Sequence, residues 1–207
     1  ENTGCAPGTF TMVKDSHAKW KYDTYPEYKG TRDRTAHDPR PESEIYLRQT
    51  YPSMDWVVAP GQEADDGIAT LVKTNKDQRS IVVVSGDADL WQLLQPGVKI
   101  FRPTPRKFVT LEDVAKKFFG LGPQHVRLCK ALWGDSSDNL PNCAPRMQRQ
   151  LVPLILPADG DLMVLFKSLN GNVNETCLTH LKKNQEQVIT NWLLTQLNDQ
   201  VELEWQP

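Results

Sequence analysis

The chain has 207 residues, 39% of them hydrophobic and 24% charged, with a formal net charge of −2. That length accommodates one ample core or a domain with an appendage, and the near-neutral charge excludes a purely electrostatic coat for nucleic acid. The longest apolar runs, such as Ile81-Val82-Val83-Val84, are strand-sized, which excludes a bilayer-spanning helix in them. No signal-peptide pattern is visible. Cys5, Cys129, Cys143 and Cys177 are scattered without C-x-x-C spacing, which argues against zinc and fits a reducing cytoplasm. Cys129, in an apolar helical stretch, reads as a small buried hydrophobe.

In chain order, Thr9–Val13 reads as a short strand ending at Lys14-Asp15. From Ser16 to Arg40 the sequence is polar, aromatic and basic without a sustained apolar face, and a partly mobile surface excursion is expected there. Pro41–Tyr51 predicts a helix with Pro near its first turn, and Met54–Ala59 a strand closed by Pro60-Gly61. Glu63 opens a helix whose Ala64, Ile68, Leu71 and Val72 recur at helical spacing as an inward face. Ser80–Val84 is almost wholly apolar, like a strand inside a parallel sheet. Asp89–Leu94 predicts a short helix and Val98–Phe101 a further strand. Strands alternating with helices imply an α/β fold with sites at the strand C-termini.

After Pro105 the pattern becomes helix on helix. Thr110-Leu111-Glu112-Asp113 looks like an N-cap and first turn of a helix ending near Gly120. Helices are expected at Pro123–Leu132 and from about Arg146, separated by a Gly134–Pro145 loop. In the tail, Ile189, Leu193 and Leu197 share one helical face with Val188 and Trp192 beside it, and Gln200–Trp205 suggests a terminal strand. Two units follow, an α/β core over 1–105 and a helical region over 106–207.

Three acidic clusters stand where apolar stretches begin or end: Glu63, Asp65 and Asp66; Asp87 and Asp89; Asp135 and Asp138. Each has a local explanation, respectively an acidic helix first turn, a helix cap and a polar turn. One shared centre explains all three. Two carboxylates about 4 Å apart repel by roughly 4 kcal/mol at an effective dielectric of 20, so gathering six or more calls for multivalent cations. Hard oxygen ligands select Mg²⁺ or Mn²⁺, two ions in the phosphodiester-cleaving arrangement. Between Lys14 and Arg40 basic residues outnumber acidic ones. Lys29 and Arg32 suit phosphate contact, as a point charge and a bidentate fork. Tyr22, Tyr25 and Tyr28 could stack on unpaired bases or pack against the domain. His17, His37, His125 and His180 show no ligand spacing.

Four segments, in this order, closely resemble the 5′-nuclease (flap endonuclease) family, above all its bacterial and bacteriophage members. They are Tyr25-Pro26-Glu27-Tyr28-Lys29-Gly30-Thr31-Arg32, Gly61-Gln62-Glu63-Ala64-Asp65-Asp66, Val84-Ser85-Gly86-Asp87-Ala88-Asp89-Leu90 and Leu132-Trp133-Gly134-Asp135-Ser136-Ser137-Asp138-Asn139-Leu140-Pro141. The resemblance implies a PIN-like, mostly parallel sheet flanked by helices, with a C-terminal helix–three-turn–helix region. It implies two-ion cleavage of DNA 5′ flaps or 5′ ends, with a role in phage DNA replication or primer removal. Carried across, Asp15, Glu63, Asp65, Asp66, Asp87, Asp89, Asp135 and Asp138 would be metal ligands, and Lys29, Arg32, Asp87 and Asp89 the catalytic set. Lys21, Tyr28, Lys29, Arg32, Arg146 and Arg149 would contact DNA.

The chain departs from the family in two places. Family members carry an Asp-Gly-terminated strand and a helix ahead of the strand at Thr9–Val13, and this sequence has neither. Either this N-terminal segment has been lost or lies in a separate polypeptide, or this variant rebuilt its sheet; the first is expected, since a missing central strand leaves both neighbours unpaired. Asn142-Cys143-Ala144-Pro145-Arg146-Met147 replaces the family's Gly-rich turns, and Pro145 removes a backbone donor; side-chain contacts from Arg146 and Arg149 would be the compensation. The short Thr31–Pro41 segment implies an abbreviated arch. Two other readings remain: a DNA-binding relative without catalysis, and a PIN-type ribonuclease, which the Gly134–Pro141 loop and helical half disfavour.

Overall fold

A computed structural model of the chain describes residues 9–32, 40–169 and 175–206. Cys5, Arg34, His37 and most of the expected short arch lie outside the described residues. Thr11–Lys14 (β1) pairs in parallel with Asp55–Val58 (β2), and Glu204–Gln206 (β6) adds antiparallel to the other side of β2. Ile81–Val84 (β3) pairs in parallel with Val98–Arg102 (β4), which Lys107–Phe108 (β5) extends antiparallel. The class is α/β, as expected. The single mostly parallel sheet is instead divided into two mixed three-stranded sheets. Among the described residues β1 and β3 each pair on one side only. An apolar strand with one neighbour keeps an open edge, and Val84 is accordingly 62% exposed.

The helix Ala64–Asn75 (α3) packs against β1, β2 and β3 and so bridges the sheets. At its start Asp66 Oδ2 accepts from Glu63 N at 3.3 Å and Glu63 O accepts from Asp66 N at 3.1 Å. Gly67 faces β1 so closely that an added Cβ would lie 2.8 Å from Val13 Cγ1. The apolar stripe expected on α3 is only part of its covered surface. Asp66, Gly67, Ala69, Thr70 and Val72 are buried, whereas Ala64, Ile68 and Leu71 are half-buried. The C-terminal tail accounts for this, because it crosses α3 and places Asn198 N on Asp66 and Val201 N on Thr70.

The expected excursion after β1 is not a free surface segment over the part described. Lys19–Thr24 forms a helix (α1) and the turns through Arg32 fold back, burying Lys21 and Tyr28. Arg40–Thr50 (α2) lies close to the expected bounds. After β3, Asp89–Leu93 is a 3-10 turn that buries Leu90 and Trp91.

The helical half begins with Leu111–Lys117 (α4), capped by Thr110 and Asp113. A 3-10 turn at Pro123–His125 leads into Val126–Trp133 (α5). Gln148–Ala158 (α6), Leu162–Ser168 (α7), Glu175–Lys183 (α8) and Gln185–Leu194 (α9) follow. One apolar core runs from Val83, Leu90 and Ile100 through Leu128 and Leu132 to Leu151, Leu165 and Leu181. On α9 the inward face differs from the apolar stripe. Val188, Asn191 and Leu194 are buried, while Ile189 and Leu193 are 39% and 44% exposed.

Candidate active site

Each acidic cluster reaches the site through a specific local fold. β3 ends in a turn where Ser85 Oγ accepts from Asp87 N at 3.1 Å and Asp87 Oδ1 accepts from Asp89 N at 2.8 Å. These Asx-type bonds fix both aspartates beside the first turn of α3. Asp65, Asp87 and Asp89 each present a carboxylate oxygen within 4.8 Å of the others. Burial first, then the charges of Asp87 and Glu63, push Asp65 up to about 7. Three converging hard oxygens fit a divalent ion of the Mg²⁺ or Mn²⁺ type.

The third cluster sits on a closed loop after α5. Asp135 and Leu140 exchange backbone hydrogen bonds of 3.0 and 2.8 Å. Gly134 enters this loop at φ 73°, where a Cβ would meet Leu140 O at 2.4 Å, so glycine is required. Asp135 accepts from Ser137 N and Oγ at 2.8 and 2.6 Å and pairs with Lys130. Burial alone would raise the Asp135 carboxyl, but the Lys130 ammonium holds it below the usual range.

The basic segment closes over the acids. Glu63 accepts from Lys21 Nζ at 2.8 Å, from Tyr28 OH at 3.0 Å and from Lys29. Burial opposes ionisation of Glu63, yet the Lys21 and Lys29 ammonium groups lower its pKa. Asp138 faces Tyr28 OH at 3.1 Å, Arg32 Nη2 at 3.1 Å and Lys29 Nζ at 3.8 Å. Backbone bonds clamp the same junction, from Lys29 N to Asp138 O at 3.0 Å and from Asn139 Nδ2 to Glu27 O at 2.8 Å.

The expected ligands therefore separate into groups. Asp65, Asp87 and Asp89 come together directly. Glu63, Asp135 and Asp138 line the same centre and, like Asp89, are paired with the protein's own cations. Asp66 is buried with its oxygens on Glu63 N and Asn198 N at 3.3 and 2.8 Å, a structural placement. Asp15 Oδ1 accepts from Ala64 N at 3.0 Å at the start of α3. Lys29 and Arg32 stand at the acids, and Lys21 is buried against Glu63. Tyr28 corrects a sequence expectation. At 1% exposure its ring is interior, packed edge-on against Tyr22, and offers no face to a base. Arg146 and Arg149 are exposed at the turn into α6. Lys130 is the site residue that the sequence pattern did not single out. The available signal was a lysine inside the otherwise apolar Val126–Trp133 helix.

A family described as "5′-3′ exonuclease, N-terminal resolvase-like domain" matches residues 4–119. DNA polymerase I of Pseudomonas aeruginosa is 27% identical over 205 residues, covering 94% of this chain and 22% of the relative. The thermostable DNA polymerase I of Thermus thermophilus is 32% identical over 178 residues, covering 83% and 21%. The chain thus spans about a fifth of the length of these curated relatives. Among solved structures, the T5 D15 protein co-crystallised with metal ions superposes with a TM-score of 0.75 at 21% identity, over 92% of this chain and 76% of that one. The bacteriophage T5 D15 flap endonuclease in a pseudo-enzyme–product complex with DNA and metal ions gives 0.74 at 21% identity, over 92% and 74%.

Proposed function

Since the chain belongs to the 5′-nuclease family, we propose that it is a divalent-metal-dependent nuclease that hydrolyses phosphodiesters at DNA 5′ flaps or 5′ ends. The observation that carries this reading is the convergence of Asp65, Asp87 and Asp89 beside Lys29 and Arg32. Two ions of the Mg²⁺ or Mn²⁺ type would supply an activated water and charge for the leaving oxygen. The chain's own residues provide the rest. Asp65, Asp87 and Asp89 would hold one ion, and Asp135, with Asp138 on the same loop and Asp89 across from it, would line the second position. Lys29 and Arg32, on turns clamped to the Asp138 loop, meet the scissile phosphate, and the exposed Arg146 and Arg149 meet the duplex. On this reading the activity would serve phage DNA replication or primer removal, in the cytoplasm of a bacterial or phage-infected host cell. Among the described residues no helix is long and apolar enough to cross a membrane.

A second reading, DNA binding without cutting, draws on the sides of β1 and β3 that have no partner strand among the described residues. Under it, the chain is a catalytically impaired fragment or paralogue, and a separate N-terminal segment or replication proteins would be its partners. A labelled 5′-flap DNA incubated with the chain in Mg²⁺, Mn²⁺ or chelator tests both readings. Metal-dependent cutting near the junction is expected, abolished or severely slowed in Asp87→Ala and Asp138→Ala. Lys29→Ala should lower turnover more than flap affinity, because it acts on the reacting phosphate. Tight binding without cutting would establish the second reading, and unchanged turnover in both aspartate variants would remove the metal assignment.

A further inference from the structure

Lys130 lies in the middle of α5, flanked by Leu128, Cys129, Ala131 and Leu132, all fully buried. Although only 7% exposed, its ammonium pairs with Asp89 on the turn after β3 and with Asp135 on the loop after α5. The first carboxylate is part of the Asp65–Asp87–Asp89 group, and the second belongs to the Asp138 loop. A lysine withdrawn from water is retained only where carboxylates compensate its charge. Conversely, two part-buried carboxylates converging from different halves of the fold need a cation between them. Lys130 supplies that cation from the protein itself.

Resting on the reading of this centre as a divalent-ion site, we infer that Lys130 occupies the place between Asp89 and Asp135 where a second divalent ion would bind. The DNA-free protein accordingly loads one ion at Asp65, Asp87 and Asp89. A second ion enters only by displacing the Lys130 ammonium. Lys130 thereby sets how many ions the centre holds before substrate arrives, a role separate from the phosphate contacts of Lys29 and Arg32.

Mn²⁺ titration of the whole chain without DNA, followed by electron paramagnetic resonance and calorimetry, tests this. Wild type should take up one tight ion. Lys130→Met should gain a second, or bind at least tenfold more tightly, and Lys130→Arg, which keeps the charge, should behave as wild type. Unchanged or weaker Mn²⁺ binding by Lys130→Met, with wild type still binding, would overturn the inference while leaving the nuclease reading in place. No binding by wild type would overturn both. Should Lys130→Met fail to fold, nuclear magnetic resonance of the lysine ammonium groups in wild type with Mg²⁺ decides. The Lys130 signal should survive saturation of the first ion and be lost with the second, whereas its persistence with both ions bound refutes displacement.

Discussion

Tyr28 has one hydroxyl proton and two carboxylates to serve, Glu63 at 3.0 Å and Asp138 at 3.1 Å. Burial first, and then those neighbouring charges, raise its phenol far above the usual range, so it acts as a fixed neutral donor. It ties the start of α3 to the loop after α5, together with Lys29. Tyr28→Phe removes the donor to the part-buried Asp138 Oδ2, whose sister oxygen keeps Arg32 and Lys29, and costs about 1–3 kcal/mol. Denaturant unfolding should show that loss, with flap affinity little changed. A drop in flap affinity at unaltered stability would instead reinstate a base-stacking role. The sequence carried the spacing of Tyr25, Tyr28, Lys29 and Arg32, but not the direction in which each side chain points. Adjacent residues on a turn can face opposite ways, and only the acids across the chain decide which one is drawn inward.

The helices show the same division between what is local and what is distant. Thr110 and Asp113 mark the start of α4 because a capping box is satisfied by residues three apart, and the box forms as expected. On α9 the apolar stripe misleads. Asn191 is fully buried and donates to Ala131 O on α5 and to Pro141 O beyond the acidic loop, both at 3.0 Å. Those carbonyls lie near the end of α5 and in the loop after it, where backbone acceptors are left over. Thus a polar side chain turns inward and Ile189 and Leu193 turn partly out. Asn191→Ala should destabilise the fold by at least about 2 kcal/mol, at about 1–3 kcal/mol for each carbonyl left unsatisfied. Ile189→Ala, at the more exposed face, should have a much smaller effect. Thermal unfolding of the two variants checks the ranking, and equal losses would return α9 to the orientation its apolar stripe suggested.

At the level of the whole molecule, the split into 1–105 and 106–207 meets a core that ignores the boundary. Val83, Leu90 and Ile100 belong to the same buried cluster as Leu128, Leu151 and Leu181. Lys130 pairs with acids on both sides of the boundary, and the tail returns from α9 to cover α3 and extend β2. A continuous core of this kind should unfold in one cooperative step. Calorimetry of the metal-free chain should give a single transition, whereas two separated transitions would support independent 1–105 and 106–207 units.

Strands, helix starts and the three acidic clusters were legible in the sequence, because caps, turns and hydrophobic periods depend on residues within a few positions of one another. The family likeness was legible too, through ordered motifs. The tertiary structure alone decided that Asp65, Asp87 and Asp89 converge while Asp66 is spent on backbone amides. It alone revealed Lys130 between Asp89 and Asp135, and the two sheets in place of one. Carboxylates in one cluster are equivalent in composition and differ only in direction. Their fates are set by partners that are distant in the chain, and burial and Coulomb energy depend on those distances in space rather than on separation in sequence.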